Sequence, residues 1–218
     1  MIMFRDRFDA AMQLAKRLEE YRHTNGIILA VPRGGVPIGY LVARHLGLVL
    51  DVILSKKIGH PYNSELAIGS VSLHGTSLNK NSEGVPSGYI HTESERILET
   101  LKEKHRVYAG HIDAADLEDK TVIVVDDGIA TGSTMLATID SVKKHHPAKI
   151  IVAAPVASPV AVSRIEWEAD KVICLATPPS FRAVGQFYKD FSPVSDEEVI
   201  RYLRDANQMH QPDKHQLH

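Results

Sequence analysis

Short apolar runs alternate with amphipathic stretches along most of this chain, and this alternation predicts its elements. Five apolar runs have the length of buried strands: Ile27–Val31, Leu50–Leu54, Thr121–Val125, Ile150–Ala154 and Val172–Leu175. Helical patterns lie between them, over Val36–Leu46, Thr134–His145 and Val160–Trp167. Apolar strands that alternate with helices pair in parallel, with helices on both faces of the sheet. The predicted fold class is therefore α/β with a doubly wound parallel sheet.

Three further helices are predicted outside this core. Four apolar residues at helical spacing predict a first helix that ends near Tyr21, and they are Phe8, Met12, Ala15 and Leu18. The capping box Thr92–Glu95 predicts a helix that runs to about Tyr108. A second capping box, Ser195–Glu198, predicts a last helix to about Arg204, and residues 207–218 predict a disordered tail.

The stretch Gly59–Gly88 is rich in Gly, Ser, Asn and His and separates the two halves of the pattern. It contains weak strand signals at Ala67–Leu73, and another follows at Tyr89–Ile90. Because it is longer than an ordinary connection, it predicts a flexible lid. We expect one domain over residues 1–206, with a core over about 26–176 and a small hood built from 1–25 and 177–206.

Composition and charge narrow the function classes. The 218 residues are 44% hydrophobic, and 25 Lys and Arg against 27 Asp and Glu give a net charge of −2. A net charge this small gives the protein no overall electrostatic attraction to nucleic acid or to an anionic membrane. A single cysteine, Cys174, excludes an intramolecular disulfide, and the charges of Arg5–Arg7 interrupt any signal-peptide core. Without a membrane-length apolar run, the chain is predicted to be cytoplasmic.

The stretch VIVVDDGIATGST, residues Val122–Thr134, carries the most informative chemistry. Asp126 and Asp127 end a predicted strand, where open parallel sheets bind ligands. The following residues Thr131, Gly132, Ser133 and Thr134 lead into a helix, whose N-terminus attracts phosphate. A Walker loop would need a lysine after its last glycine, but Ser133 follows Gly132 directly. Adjacent carboxylates and a phosphate site together predict a ribose 5-phosphate ligand.

This stretch resembles the phosphoribosyl pyrophosphate (PRPP) signature of type I phosphoribosyltransferases, and the likeness extends over roughly Ile27–Leu175. The resemblance implies that Asp126 and Asp127 hold the ribose hydroxyls and act on Mg²⁺ through water. It also implies that the loop of Ala130, Thr131, Gly132, Ser133 and Thr134 cradles the 5-phosphate. A homodimer is expected from the resemblance alone.

Two further segments follow the first two core strands. Arg33, Gly34 and Gly35 form a glycine-rich turn that, by the resemblance, takes the pyrophosphate; a plain turn is the alternative. Lys56 and Lys57 follow the next strand, and period-two alternation directs them to opposite faces. One of the two is expected to meet pyrophosphate, and the pattern leaves open which.

The lid and the hood supply the remaining candidates. The segment HPYNSELAIGSVS resembles the mobile loop that closes over the sugar, and its Glu65 either orients a nucleophile or is a solvated glutamate. In the hood, Phe181 and Tyr188 either stack on a base or pack in the core. Trp167 is predicted to be structural. Hypoxanthine-guanine enzymes carry an acid where this chain has Ala130, which argues against a 6-oxopurine substrate.

The predicted function is displacement of pyrophosphate from PRPP by a nitrogen nucleophile, with inversion and with Mg²⁺. A nucleobase is the expected acceptor. Two rival hypotheses are a non-catalytic PRPP sensor and a partner subunit or fused-domain relic without turnover. If the protein's activity did not require Lys56, Lys57 and Glu65, these rival hypotheses would be favoured. Most regulators need a DNA-binding module or a basic face, and this chain shows neither.

Overall fold

A computed structural model describes residues 3–73, 75–109 and 115–208. The strands of this part of the chain are β1 Gly26–Ala30, β2 Val49–Val52, β3 Ser55–His60, β4 Asn63–Ser72, β5 Gly75–Leu78, β6 Thr121–Val125, β7 Lys149–Val156 and β8 Lys171–Ala176. The α-helices are α1 Arg7–Arg17, α2 Gly35–Leu46, α3 Ser87–Ala109, α4 Ser133–Lys143, α5 Pro159–Ile165 and α6 Asp196–Gln208. None of these helices is long and apolar enough to cross a membrane.

Five strands form one parallel sheet in the order β2-β1-β6-β7-β8. The five apolar runs that predicted strands are these five strands, with ends that differ by at most two residues. The doubly wound α/β prediction is therefore confirmed. The strand order reverses between β1 and β6, and in such sheets ligands bind beyond the strand ends at this reversal.

Alternation along each strand divides the apolar core into two layers. Ile28 and Ile123 face the layer of α1, α2, α3 and α6, whereas Ile27 and Val122 face α4 and α5. All four strand residues are at least 97% buried, because a parallel sheet is covered on both faces. This explains why the strands read as continuous apolar runs.

The stretch predicted as a flexible lid forms a second, antiparallel sheet in the order β3-β4-β5. The segment His60–Ser72, compared above with a mobile loop, supplies the central strand and is not an irregular loop; its closure over the sugar stays a prediction. Lys56 and Lys57, expected at the carboxyl end of the second core strand, lie within the separate strand β3. One face of this sheet carries Ile58 and Val71, which are buried in the core with α3.

The two capping boxes have different outcomes. Helix α3 begins at Ser87 and runs through Thr92–Glu95, so that box and the strand signal at Tyr89–Ile90 are wrong. The second box is confirmed: the Ser195 N–H donates to Glu198 Oε2 at 2.9 Å, and the Glu198 N–H donates to Ser195 Oγ at 3.2 Å. Helix α6 continues to Gln208, and the rest of the predicted tail lies outside the described residues.

Two predicted core residues of α1 are exposed. Phe8 and Met12 are 42% and 49% exposed, whereas Leu14 and Leu18 are fully buried. Trp167, predicted to be structural, is 86% exposed because α5 ends at Ile165, before it. The apolar spacing identified the first helix and, through Ala15 and Leu18, only part of its buried face.

Residues of the two segments assigned to the hood lie together, although that division stays a prediction. The Lys189 N–H donates to the Phe4 carbonyl oxygen at 2.9 Å, and the Asp190 N–H donates to the Arg5 carbonyl oxygen at 2.9 Å. Helices α1 and α6, however, pack beside α2 in the helical layer of the core. Residues 177–192 reach the carboxyl ends of the strands.

Candidate functional site

Two loops meet at the reversal of the strand order, one after β1 and one after β6. A Cβ added to Gly34 would lie 1.9 Å from Asp127 Oδ2, and one added to Gly35 would lie 2.7 Å from the Val125 carbonyl oxygen. Only glycine permits this approach of the two loops. The glycine-rich turn and the acid pair predicted from sequence are therefore in direct contact.

The two acids share a partly enclosed position at the end of β6. Asp126 is half-buried and its Oδ1 accepts the Asp127 N–H at 2.8 Å, whereas Asp127 is buried. Burial and the adjacent Asp127 carboxylate raise the pKa of Asp126 well above its usual range. Burial also raises the pKa of Asp127, although Arg7 opposes that shift. The pair therefore binds protons more readily than free carboxylates do.

Arg7 of α1 is the basic partner that the local sequence lacks. Its Nε donates to Asp127 Oδ2 at 2.8 Å and its Nη1 donates to the Ser192 carbonyl oxygen at 2.8 Å. The guanidinium carbon lies 3.9 Å from the centre of the Phe191 ring. The side chains of Arg7 and Asp127 are 11% and 12% exposed. Sequence reasoning missed this contact because the two residues are 120 positions apart.

The loop from Ala130 to Thr134 leads into α4 as predicted. Gly132, the residue before the helix, has a φ of 78° and supplies no side-chain cap; the Ser133 N–H donates to Thr131 Oγ1 at a long 3.4 Å, and no side chain of the loop caps the following N–H groups among the bonds described. Thr131, Ser133 and Thr134 are exposed. Uncapped N–H groups of a first turn attract an anion. The loop therefore has the form that a phosphate ligand requires.

The β7–α5 junction and α5 support this loop from below. Ser158 Oγ donates to the Ala130 carbonyl oxygen at 2.6 Å, and Arg164 Nη1 donates to the Thr131 carbonyl oxygen at 2.9 Å. Ser158 also caps α5 by accepting the Ala161 N–H at 3.0 Å. These contacts satisfy the carbonyl oxygens of Ala130 and Thr131 and fix the loop to α5. Neither Ser158 nor Arg164 was identified from the sequence.

Arg33, in the turn after β1, is exposed. Its Nη1 is 3.6 Å from Asp196 Oδ1, at the start of α6. Asp196 also accepts a hydrogen bond from the Tyr108 hydroxyl, and this bond, with nearby Lys104 and Arg33, lowers the pKa of the Asp196 carboxyl. The sequence indicated Arg33 but not its acidic partner.

The two lysines of β3 face in different directions. Lys57 is paired with Ser70 and, with Ser133 and Thr134, lines a cleft of about 470 Å³ between α4 and the three-stranded sheet. Lys56 does not line this cleft; it is paired with buried Val71 on the other face of the sheet. The structure thus places Lys57, and not Lys56, beside the predicted phosphate loop.

The two aromatic candidates pack against other aromatic rings. Tyr188 is 4% exposed, with its ring between Phe4 and Phe191 and its hydroxyl donating to the Asp127 carbonyl oxygen at 2.6 Å. This burial contradicts a stacking role and makes Tyr188 a structural support of the acid loop. Phe181 is half-buried, 5.1 Å from the Phe187 ring centre. The side chain of Glu65 lies outside the described residues.

The donor set suits a magnesium ion held mainly by ligand and water. Two carboxylates stand at one strand end, and Mg²⁺ at phosphate ligands commonly uses one or two protein carboxylates. Within the described residues, no three His, Cys, Asp or Glu side chains come together as a metal cage. Asp126 and Asp127 are therefore the side chains that would hold the ion.

The structure thus combines an open parallel sheet with an acid pair and a loop that leads into a helix, both at the reversal of the strand order. The chain belongs to the phosphoribosyl transferase domain family, whose model matches residues 5–192. This confirms the resemblance drawn from the acidic stretch.

Individual relatives agree with this assignment. Rv0571c of Mycobacterium tuberculosis, a protein assigned to the phosphoribosyl transferases, is 36% identical over 213 residues, which are 95% of this chain. The chain spans 48% of that relative's length. A uracil phosphoribosyltransferase of Mycoplasma genitalium is 41% identical over 51 residues, 23% of this chain and 25% of that protein. The crystal structure of TT1426 from Thermus thermophilus has a TM-score of 0.85 and 37% identity, covering 94% of this chain and 99% of that one.

Proposed function

We propose that the chain transfers a phosphoribosyl group from PRPP to a nitrogen nucleophile. The observation that carries the proposal is the contact between the glycine-rich turn after β1 and the acid pair after β6, next to the loop that opens α4. At one edge of the sheet these segments could bind a pyrophosphate, sugar hydroxyls and a phosphate. PRPP carries all three of these groups.

The residues have separate tasks in this proposal. Asp126 and Asp127 accept hydrogen bonds from the ribose hydroxyls, and the first turn of α4 holds the 5-phosphate. Arg33 and the N–H groups at Gly34 and Gly35 hold the pyrophosphate. Because Arg33 lies 3.6 Å from Asp196, binding requires it to exchange that carboxylate for a phosphate oxygen.

The reaction breaks the bond between C1 of the ribose and a pyrophosphate oxygen and forms a bond between C1 and the acceptor nitrogen. The bonding electrons leave with pyrophosphate, and the acceptor loses a proton. Bound Mg²⁺ would neutralise charge on the leaving group. Positioning and electrostatic stabilisation by the acid pair and Arg33 supply the rate, since no residue here must become covalently attached.

The acceptor is proposed to be a nucleobase. The side chain of Ala130 is a methyl group and takes no ring proton, which supports a base other than a 6-oxopurine. The short match to a uracil enzyme covers only 23% of this chain and does not decide between a pyrimidine and a purine. The homodimer, the cytoplasmic location and a role for Glu65 remain predictions.

The test is pyrophosphate release from PRPP with Mg²⁺ across purine and pyrimidine bases, with a control that lacks a base. We expect release that depends on one base and is lost in Asp126→Asn. Asp205→Asn, which changes an exposed acid of α6, is the matched control and should retain activity. Mg²⁺-dependent PRPP binding by calorimetry without release for any base would instead favour the sensor hypothesis.

A further inference from the structure

The cleft between α4 and the three-stranded sheet lies beside the proposed PRPP site and not within it. Its rim includes Ser133 and Thr134 of the phosphate loop, but its lining contains neither the acid pair nor Arg33. From that rim it extends along α4 past Ala137. A ligand held by the loop could therefore continue into the cleft from its 5-phosphate end.

The size of the cleft exceeds the need of a single phosphate. Its volume of about 470 Å³ falls within the range of about 300–1,000 Å³ that is usual for small-molecule sites. The loop itself already accounts for the 5-phosphate. The additional space therefore fits a larger group joined to that phosphate.

The lining is charged and polar on the sheet side. Lys57, Ser70 and Ser77 are direct cross-strand neighbours on β3, β4 and β5, and all three line the cleft. Arg164 lies at the loop end, where it already donates to the Thr131 carbonyl oxygen. Asp140 is the one carboxylate among the lining residues described. The lining residues described therefore include two cations and several hydroxyl groups but one carboxylate, which favours an anionic ligand.

Part of the lining is apolar on both sides of the cleft. Leu78, the last residue of β5, is 49% exposed and lines the cleft from the sheet, and Leu136 and Ala137 line it from α4. Exposed apolar surface beside cations suits an organic group attached to a phosphate better than it suits an inorganic anion. Arginine and lysine both bind phosphate oxygens by charge-assisted hydrogen bonds.

We propose that this cleft binds the part of a ligand that extends beyond the ribose 5-phosphate, namely a second phosphoryl group carrying an organic substituent. The proposal rests on the proposed function, because it takes the loop as the 5-phosphate site. It names the ligand class as a 5-diphosphate ester of ribose. Lys57 and Arg164 contact the second phosphoryl group, and the substituent covers Leu78 and Leu136.

The test compares ribose 5-phosphate with ADP-ribose, which carries the same sugar phosphate extended by an adenosine phosphate. Binding of both to the whole chain is measured by calorimetry at one salt concentration. We expect ADP-ribose to bind at least about tenfold more tightly, because its second phosphoryl group adds charge-assisted hydrogen bonds. Equal affinities for the two compounds would overturn the proposal.

Two variants locate the additional affinity in the cleft. Lys57→Gln removes the β3 cation that lines the cleft, and Ala137→Phe fills the cleft from α4. Each should abolish the difference in affinity between ADP-ribose and ribose 5-phosphate. Lys80→Gln makes the same charge change outside the lining, in the connection after β5, and should retain the difference.

The outcomes separate this proposal from the proposed function. If ribose 5-phosphate binds and the preference for ADP-ribose is absent, or survives in both cleft variants, only the cleft assignment fails. If ribose 5-phosphate itself does not bind to folded protein, the phosphate-loop assignment fails and the cleft proposal fails with it. Circular dichroism of each variant identifies any that does not fold.

Discussion

Replacement of Arg7 by methionine should expose how strongly the first helix supports the acid pair. The variant keeps an unbranched side chain but leaves Asp127 without the guanidinium, whose Nε and Nη2 each lie 2.8 Å from Asp127 Oδ2. Removing one partner of a buried ion pair costs about 3–5 kcal/mol. The two side chains are only 11% and 12% exposed, so the pair is largely removed from water. We expect a loss of about 3 kcal/mol in the free energy of unfolding at pH 8.

The loss should depend on pH in a defined direction. Burial raises the pKa of folded Asp127 and Arg7 opposes that rise, so the variant's Asp127 pKa lies higher still. A folded pKa above the unfolded value means that stability falls as pH rises between the two values. The variant should therefore be closest to the wild type in acid, where Asp127 is neutral in both, and furthest from it at pH 8.

Urea unfolding at pH 4.5 and at pH 8 measures both effects, provided that the slope with urea concentration is unchanged. Arg5→Met is the matched control, because the Arg5 side chain is 73% exposed and pairs with Asp6 at the surface. An exposed pair contributes about 0–1 kcal/mol. A loss for Arg7→Met no greater than that of the control, or the same loss at both pH values, would refute the reasoning.

Three other substitutions test the site. Gly35→Ala should lower the free energy of unfolding by about 1–3 kcal/mol in urea, because its Cβ would lie 2.7 Å from the Val125 carbonyl oxygen, whereas Gly88→Ala has nothing within 4 Å. Asp126→Asn should raise the melting temperature at pH 8, and the gain should shrink toward pH 4, because the fold raises the pKa of that acid. Tyr188→Phe should cost about 1–3 kcal/mol in urea unfolding, because it removes a buried hydroxyl that donates at 2.6 Å to the acid loop.

Each of these expectations has an outcome that contradicts it. Equal stabilities of the Gly35 and Gly88 variants would mean that the two loops separate easily. A melting temperature for Asp126→Asn that is unchanged at pH 8, or a gain that grows in acid, would reverse the sign assigned to Asp126. An unchanged stability of Tyr188→Phe would show that the acid loop does not depend on the hydroxyl.

Local patterns predicted the features that depend on neighbouring residues. The run before Asp126 has the continuous apolar character of a strand buried on both faces, and β6 has the predicted bounds Thr121–Val125. The Ser195–Glu198 box forms both of its hydrogen bonds because its partners are three positions apart. The box at Thr92–Glu95 failed because α3 already begins at Ser87, where tertiary packing extends the helix.

Features that depend on distant residues were not predictable in this way. Trp167 has the large aromatic side chain that is typical of a core residue, yet α5 ends before it and it is exposed. The segment His60–Ser72 has weak local strand signals and becomes a central strand only because β3 and β5 pair with it. Long-range pairing decided both the second sheet and which of Lys56 and Lys57 lines the cleft.

The sequence by itself determined the parallel sheet, the acid pair and the phosphate loop, because apolar alternation and a contiguous motif are local properties of a chain. Only the tertiary structure decided what these residues meet. Arg7 reaches Asp127 from 120 positions away, and Asp196 meets Arg33 from the last helix. The physical reason is that a charge is stabilised by whichever opposite charge the packing of distant elements brings close, and no local pattern records that choice.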